Sequence, residues 1–460
     1  MDVRGGTWLV IGLARSGCAA GALLRRRGAR VVGADDAGEA ALAAQWQRHG
    51  LAGEAREAFD EVRAGPGWEA ALPRLQGVVL SPGVPSPRAA IAAPGVPVLG
   101  ELELAARFFA GRTVAITGTN GKTTTTELTA HLLRAAGYEA PALGNVGRPL
   151  SRVADSLGPD AVAVVEVSSF QLESVAQFRP EVAVVLNLAP DHLDRYASVA
   201  EYYAVKRRLV DLLPPGGLFV TGTGCQPALA WPAPRRLLFG DPDAGAACFA
   251  RDGRLWRLRD GGPRAVLALE DFPLHGAPNV LNAGAALAAL EPFDLADDVL
   301  AAGLRSFRGL PHRQQEVARG EGLVFVDDSK ATNVHAVCGG LAGYAGDVVL
   351  ILGGSGKGED YAPLRRALGP VRAAVLIGAE ADRIAAALDG AVPLVRAADL
   401  DEAVAKAAGL AAGTGTVLLS PACASFDMFR DYHHRGEAFR AAARGWLDGR
   451  AGAAGTREGS

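Results

Sequence analysis

The chain has 460 residues, about three times the roughly 150 that one domain usually takes, so two or three domains are expected and a single packed core is not. Hydrophobic residues make up 49% and charged residues 21%, a globular balance that excludes a disordered chain. Lys+Arg is 47 against 50 for Asp+Glu, a net charge of -3, which argues against a general nucleic-acid binder; no run of 18 apolar residues lacks a charge or turn residue, so no membrane span is expected.

Short aliphatic runs alternate with helix-length Ala/Leu/Arg segments, the pattern of βαβ units and parallel sheets. The first block has runs at Thr7–Ile11, Arg30–Gly33 and Gly77–Leu80, with a helix expected over Ser16–Arg27. Between strand and helix lies Ile11-Gly-Leu-Ala-Arg-Ser-Gly17, a shortened dinucleotide fingerprint with Ala14 in place of the second glycine. Such a turn lets backbone approach a diphosphate at a helix N-terminus, although it also serves as an ordinary strand–helix turn. Asp35 and Asp36 follow the second strand, where a ribose-binding acid sits, and Ser81-Pro-Gly-Val-Pro85 closes the third.

The second block opens with a strand at Thr113–Thr117, then Gly118-Thr-Asn-Gly-Lys-Thr-Thr124 and a helix over Thr125–Ala136. Backbone N–H groups of such a loop wrap phosphate oxygens, Lys122 meets the β/γ charge and Thr123 can ligate magnesium. The full Walker spacing would need glycine at Ile116, so the loop is a variant with ATP as its expected ligand. Strand Ala161–Val167 brings Glu166 beside it, where a magnesium ligand belongs, and strand Val182–Asn187 leads to Asp191, His192 and Asp194. A polar, strand-rich insert is expected around Leu218–Leu267. In His275-Gly-Ala-Pro-Asn-Val-Leu-Asn282, the carboxamides of Asn279 and Asn282 share a helix face and either grip an adenine edge or cap the helix.

Runs at Leu323–Val326, Val348–Leu352, Ala373–Ile377 and Thr416–Leu419 build the third block. Its strand ends carry Leu310-Pro-His-Arg313, Val326-Asp-Asp-Ser-Lys-Ala-Thr-Asn333, Gly353-Gly-Ser-Gly-Lys357 and Ser420-Pro-Ala-Cys-Ala-Ser-Phe-Asp427. In an open parallel sheet that edge is the ligand crevice, and Arg313, Asp328, Lys330, Lys357 and Ser425 suit the ammonium and carboxylates of an amino acid. Residues Ala451–Ser460 read as a frayed tail. The N-terminus shows no signal-peptide pattern, and five scattered cysteines without CxxC spacing fit a reducing cytoplasm.

Of the basic residues only five are lysine (Lys122, Lys206, Lys330, Lys357 and Lys406), and only six residues are asparagine (Asn120, Asn145, Asn187, Asn279, Asn282 and Asn333). A background that favours arginine leaves lysine where an ammonium cannot be exchanged. Lys206 therefore invites two readings: a plain salt bridge, or a neutral amine that takes up carbon dioxide as a carbamate ligand.

Gly118–Thr124, Asn187–Asp194 with Lys206, His275–Asn282, Leu310–Arg313 and Val326–Asn333 occur in the order found in the Mur ligases, ATP-dependent amide-forming enzymes of peptidoglycan precursor synthesis. The chain resembles that family from about residue 7 to about residue 440. Asp328–Asn333 and Ser420–Ser425 look like the D-glutamate-adding members, and the Asp-Asn-Pro-Arg segment of diaminopimelate-adding relatives is absent. The resemblance implies an α/β fold in three domains. These are a Rossmann-like UDP-substrate domain (1–105), a central P-loop ATPase-like domain with a parallel or mixed sheet (106–309) and a Rossmann-like amino-acid-binding domain (310–460).

It further implies a monomeric cytoplasmic enzyme with ATP and two magnesium ions, acting on UDP-N-acetylmuramoyl-L-alanine and D-glutamate without nucleic acid or membrane. Gly118, Thr119, Asn120, Gly121, Lys122, Thr123 and Thr124 would hold the ATP phosphates, with Asn279, Asn282 and Arg313 as further ATP contacts and Asp328 on the ribose. Thr123, Glu166, His192 and a carbamylated Lys206 would hold metal, and Lys122, Glu166, His192, Lys206 and Arg313 form the catalytic set. The UDP substrate is implied at Leu13, Ala14, Arg15, Ser16, Ser81, Pro82 and Gly83, with Asn145 and Ser168 nearer the reacting centre. D-Glutamate is implied at Lys330, Thr332, Lys357, Ser425 and Phe426.

Three features depart from the family: Ser355 where Asp is frequent, Tyr432 for a Phe, and Asp35-Asp36 without the Thr/Arg pair of some members. A folylpolyglutamate-type ligase would share the ATP machinery but need no UDP. A nucleotide-gated switch would leave Lys330 and Lys357 without a role, and a dehydrogenase would have to show a nicotinamide spectral change.

Overall fold

The computed structural model describes residues 1–70, 72–84, 95–145, 147–192, 195–259, 261–274, 276–356 and 358–455, the last five by backbone alone. Aliphatic runs buried on both faces form the central strands of three sheets. The first is parallel throughout, in the order β3-β2-β1-β4-β5: β1 (Thr7–Ile11), β2 (Arg30–Asp35), β3 (Glu61–Ala64), β4 (Gly77–Leu80) and β5 (Val98–Gly100).

The second sheet contains β6 (Arg112–Thr117), β7 (Ala142–Gly144), β8 (Val162–Glu166), β9 (Val182–Val185), β10 (Leu218–Gly222), β11 (Arg235–Gly240), β12 (Cys248–Arg251), β13 (Arg254–Arg259) and β14 (Gly262–Ala268). Their order is β14-β13-β12-β11-β10-β9-β6-β8-β7, parallel from β7 to β12 and antiparallel beyond. The region read as an insert is thus the other half of this sheet. β10 and β11 extend it in parallel, and only the one-sided β12–β14 meander turns back.

The third sheet runs β15-β16-β20-β17-β18-β19: β15 (Gln315–Gly320), β16 (Leu323–Asp327), β17 (Val348–Gly353), β18 (Val371–Ile377), β19 (Leu394–Arg396) and β20 (Gly415–Leu419). It is parallel except for the edge strand β15. Two compact units result: Met1–Asp271 with Leu281–Phe307, which carries the first two sheets, and Phe272–Val280 with Arg308–Ser460, which carries the third.

Within the first unit the two sheets share a core in which Leu13 and Val79 belong with Ala115 and Val165. The helix Glu101–Ala106 between them is pinned by its acids. Buried Glu103 accepts backbone N–H bonds from Ala176 and Gln177, both at 2.9 Å, and Glu101 accepts one from Ser151 at 2.8 Å. In the second unit, separate apolar clusters cover the two faces of the sheet, one around Leu350 and Ile384 and the other around Ile351 and Phe439. No helix among the described residues is long and apolar enough to cross a membrane.

Candidate active site

Strand β6 ends in the glycine loop, and the following helix begins at Lys122, three residues before the sequence-based start. Gly121 sits at the turn with φ +83°, and a Cβ there would lie 2.5 Å from Asn282 Oδ1, so only glycine fits. Asn282 is buried and its Oδ1 accepts a bond from Thr125 Oγ1 at 3.2 Å, which braces the start of the helix. Lys122 folds back over the loop, donating to Gly118 O at 3.0 Å and Thr119 O at 2.8 Å. The helix N-terminus and the ammonium thus meet at the end of the loop, the placement that favours an anion. Thr123 is half-buried on the first turn and Thr124 is buried.

The loop is bonded to the chain leaving β9. Asn120 N donates to Asn187 Oδ1 at 2.9 Å, Asn187 Nδ2 donates to Asn120 O at 3.1 Å, and Thr119 N donates to Asn187 O at 3.0 Å. Beyond it His192 adopts φ +54°, its ring 4.9 Å from that of Phe170 and its Nε2 3.9 Å from Asp191 Oδ2.

Glu166 closes β8 and is 2% exposed. Its Oε1 accepts from Asn145 Nδ2 at 2.9 Å, whereas its buried Oε2 has no hydrogen-bond partner among the described residues. A buried carboxylate oxygen in that state is costly unless a cation or donor reaches it. Lys206, also buried, points its amine at Gly118 O (3.0 Å) and Thr117 Oγ1 (3.3 Å). Burial, and then the Lys122 ammonium, drive its basicity well below the usual lysine range, against the opposing pull of Asp191 and Glu166. Among the described residues no three His, Cys, Asp or Glu side chains gather as a ready-made metal cluster. A metal here would draw on hydroxyl, carboxylate and phosphate oxygens together with an imidazole nitrogen. Ser168 caps the helix Ser169–Leu172 through a reciprocal box with Gln171.

The turn after β1 is built by its neighbours. Asp35 Oδ2 accepts from Leu13 N at 2.8 Å and Oδ1 from Ala37 N at 2.9 Å, while Trp46 Nε1 donates to Leu13 O at 2.7 Å and Ser81 Oγ to Gly12 O at 2.6 Å. Asp35 therefore anchors backbone at the position read as a ribose acid, and Asp36 Oδ1 accepts from Trp68 Nε1 at 2.9 Å. Leu13, Ala14, Arg15, Ser16, Ser81, Pro82 and Gly83 lie together at the C-terminal edge of the first sheet. From there Arg15 Nη1 donates to Gly147 O at 3.2 Å, in the loop that carries Asn145.

Asn279, Arg313, Asp328, Lys330, Thr332, Ser425 and Phe426 belong to the second unit. His312, at φ +62°, is clasped to Asp327 Oδ2 at 2.7 Å, and its carbonyl accepts from Lys330 N at 3.1 Å. Asp328 is held by Gln314 Nε2 (2.6 Å) and Ser420 Oγ (3.0 Å). Burial pushes its carboxyl up to about 7, against those bonds and the Arg313 charge. Lys330 Nζ lies 3.9 Å above the Tyr432 ring, so the departure at 432 keeps an aromatic floor. Ser355 forms a bridge with Ala424, and its Oγ accepts from Phe426 N at 3.2 Å, next to buried Ser425 and an exposed Phe426 ring. Lys357 lies outside the described residues, as do His275 and Asp194.

Arg435 has no counterpart in the sequence reading. Fully buried, it donates to Ser329 O and Oγ, Cys423 O and Ala424 O, tying two strand-end turns together. Burial lowers its guanidinium to about 10. One arginine among 42 carries no signal of its own. Gln314 beside Arg313 and Asn187 after β9 were equally visible as letters, but their bonds depend on the folded turns.

The Mur ligase middle-domain family model matches residues 116–290, and the model described as Mur ligase, glutamate ligase domain matches 312–423. A UDP-N-acetylmuramoylalanine–D-glutamate ligase of Acidobacterium capsulatum is 39% identical over 96% of this chain and 96% of its own. The enzyme of that name from Anaeromyxobacter dehalogenans is 43% identical over 95% and 97%. Among solved structures, UDP-N-acetylmuramate–alanine ligase of Thermotoga maritima superimposes with a TM-score of 0.60 at 18% identity, covering 96% of this chain and 99% of that one. The MurF ligase of the same organism, in complex with ADP, gives 0.60 at 17% identity over 92% and 96%.

Proposed function

The chain belongs to the Mur ligases, and on that premise we propose that it joins D-glutamate to UDP-N-acetylmuramoyl-L-alanine at the expense of ATP in peptidoglycan precursor synthesis. One observation carries the reading: relatives named for this reaction match along nearly the whole chain, at 39% and 43% identity. The division of labour follows the three sheets, with the UDP substrate on 1–105, ATP on 106–309 and the amino acid on 310–460. We assign it as a cytoplasmic monomer that needs neither membrane nor nucleic acid.

An amine does not displace oxide from a carboxylate, so the alanyl carboxylate must be activated first. It attacks the γ-phosphorus of ATP, ADP leaves, and an acyl phosphate remains. The D-glutamate amine then attacks the acyl carbon, loses a proton, and the tetrahedral intermediate expels phosphate. Lys122 and the loop amides hold the phosphates, and Arg313 offers charge to the oxygens that gain it. Each such preorganised donor is typically worth about 3 kcal/mol of barrier. Asn145 fixes the Glu166 carboxylate through its Oε1, leaving Oε2 for a cation.

Magnesium, two ions in this reading, neutralises the phosphate charge when bound, and Thr123, Glu166, His192 and Lys206 would hold it. The lowered basicity of Lys206 favours the free amine, whose lone pair adds carbon dioxide and, after losing a proton, becomes an anionic carbamate. Asn279, Asn282 and Asp328 serve the nucleoside. Lys330 over Tyr432, Thr332, Lys357, Ser425 and Phe426 receive the amino acid. Substrate labelled with oxygen-18 in its alanyl carboxylate tests the course directly. One labelled oxygen should appear in the released phosphate, and unlabelled phosphate would rule out the acyl phosphate.

A further inference from the structure

Of the six asparagines, the roles above use four, and Asn333 caps the helix Val334–Leu341 by accepting from Ala336 N at 2.8 Å. Asn187 is left. Its carboxamide takes both polar groups of the Asn120 backbone, Oδ1 accepting at 2.9 Å and Nδ2 donating at 3.1 Å. Its own carbonyl accepts from Thr119 N at 3.0 Å. Two residues on, Thr119 Oγ1 donates to Ala189 O at 3.1 Å and accepts from Ala189 N at 3.0 Å. The backbones also approach closely, since a Cβ on Gly118 would lie 3.1 Å from Leu186 Cβ.

Only a carboxamide supplies acceptor and donor to one residue's backbone at this reach. Aspartate would set an oxygen against Asn120 O, and leucine would offer neither bond. We propose that Asn187 is a positioning residue for the nucleotide. It fixes the register of loop 118–121 against the segment that continues to His192, so that the amides following Asn120, from Gly121 into the helix, and the metal-side imidazole are placed as one piece. Asn187 acts through the loop and does not itself hold the phosphate. The inference rests on reading 118–124 as the ATP phosphate loop.

Asn187→Asp and Asn187→Ala are expected to weaken Mg·ATP binding roughly 10- to 100-fold, because one or both of the half-buried bonds that hold the Asn120 backbone are lost. Their magnesium requirement for ATP binding should rise in parallel, while binding of UDP, measured as a probe of the first sheet, stays within about twofold. Folded variants with wild-type ATP affinity would overturn the inference alone. Wild-type protein that binds no ATP would overturn the nucleotide reading together with it. A second measurement needs no variant: in wild-type protein, hydrogen exchange of segments 117–125 and 186–190 should be suppressed together by Mg·ATP. Protection of one segment without the other contradicts the coupling.

Discussion

Replacing Lys206 with alanine tests the most distinctive chemistry of the site. The amine is buried, 3.0 Å from Gly118 O at the first turn of the phosphate loop, and its basicity is driven down by burial and by the Lys122 ammonium. If it works as a carbamate, Lys206→Ala removes an anionic oxygen from the metal side of the phosphates. Loss of one preorganised electrostatic group costs about 3–4 kcal/mol of barrier, or roughly 10²–10³-fold in kcat. The truncation vacates the space from Cγ through Nζ and of the carbamate carboxylate beyond it, and acetate, whose methyl and carboxylate mimic Nζ and its attached CO2−, fits in that space. Acetate or formate should therefore restore part of kcat in a saturable manner. Wild-type protein should lose activity in carbon-dioxide-free buffer and regain it with bicarbonate. The assay is phosphate release at saturating substrates, with Tm measured alongside to show that the variant is folded. Activity within about threefold of wild type, without added carboxylate, would refute the carbamate role.

Three further outcomes follow from the second unit. Arg435→Met should lower stability by about 3 kcal/mol and reduce Tm by several degrees, because buried carbonyls of Ser329, Cys423 and Ala424 lose their donor; a Tm within a degree of wild type contradicts this. Asp328 has its carboxyl raised from 3.8 to about 7, so the folded state holds a proton the unfolded chain has released. Its contribution is complete below about pH 4 and is lost as pH rises through about 7, by linkage on the order of a few kcal/mol. Tm of Asp328→Asn relative to wild type should accordingly climb between pH 4 and 7, and parallel profiles would refute the burial argument. Ser355→Ala removes the acceptor for Phe426 N and should raise KM for D-glutamate about three- to tenfold while leaving KM for ATP unchanged. Equal changes in both constants would place Ser355 outside the amino-acid site.

The residues legible in the sequence were those whose chemistry leaves no substitute. A glycine loop followed by Lys122 and Thr123, an acid at the end of β8 and a lysine in an arginine-rich chain are tied to phosphate and cation chemistry by residue type. The structure places Glu166 and Lys206 buried around that loop. What the sequence left open concerns backbone partners. Asp35 at the end of β2 could bind a ribose or hold a turn, and its bonds to Leu13 N and Ala37 N show that it holds the turn. Asn187 inside one motif and Gln314 just past another were only letters until folding set them against Asn120 and Asp328. Strands such as Glu61–Ala64 and Gln315–Gly320 are short and polar at sheet edges, where pairing rather than burial defines them. The half-sheet of β10–β14 read as an insert because its outer strands alternate exposed and buried positions, unlike the continuous run of β8.

Phosphate release by the purified chain, supplied with ATP, magnesium and UDP-N-acetylmuramoyl-L-alanine and with D-glutamate, L-glutamate or neither, tests the central claim most directly. The account predicts release only when the UDP substrate and D-glutamate are both present, with a product heavier by one glutamyl unit. Release without the UDP substrate, or none with D-glutamate, would contradict it.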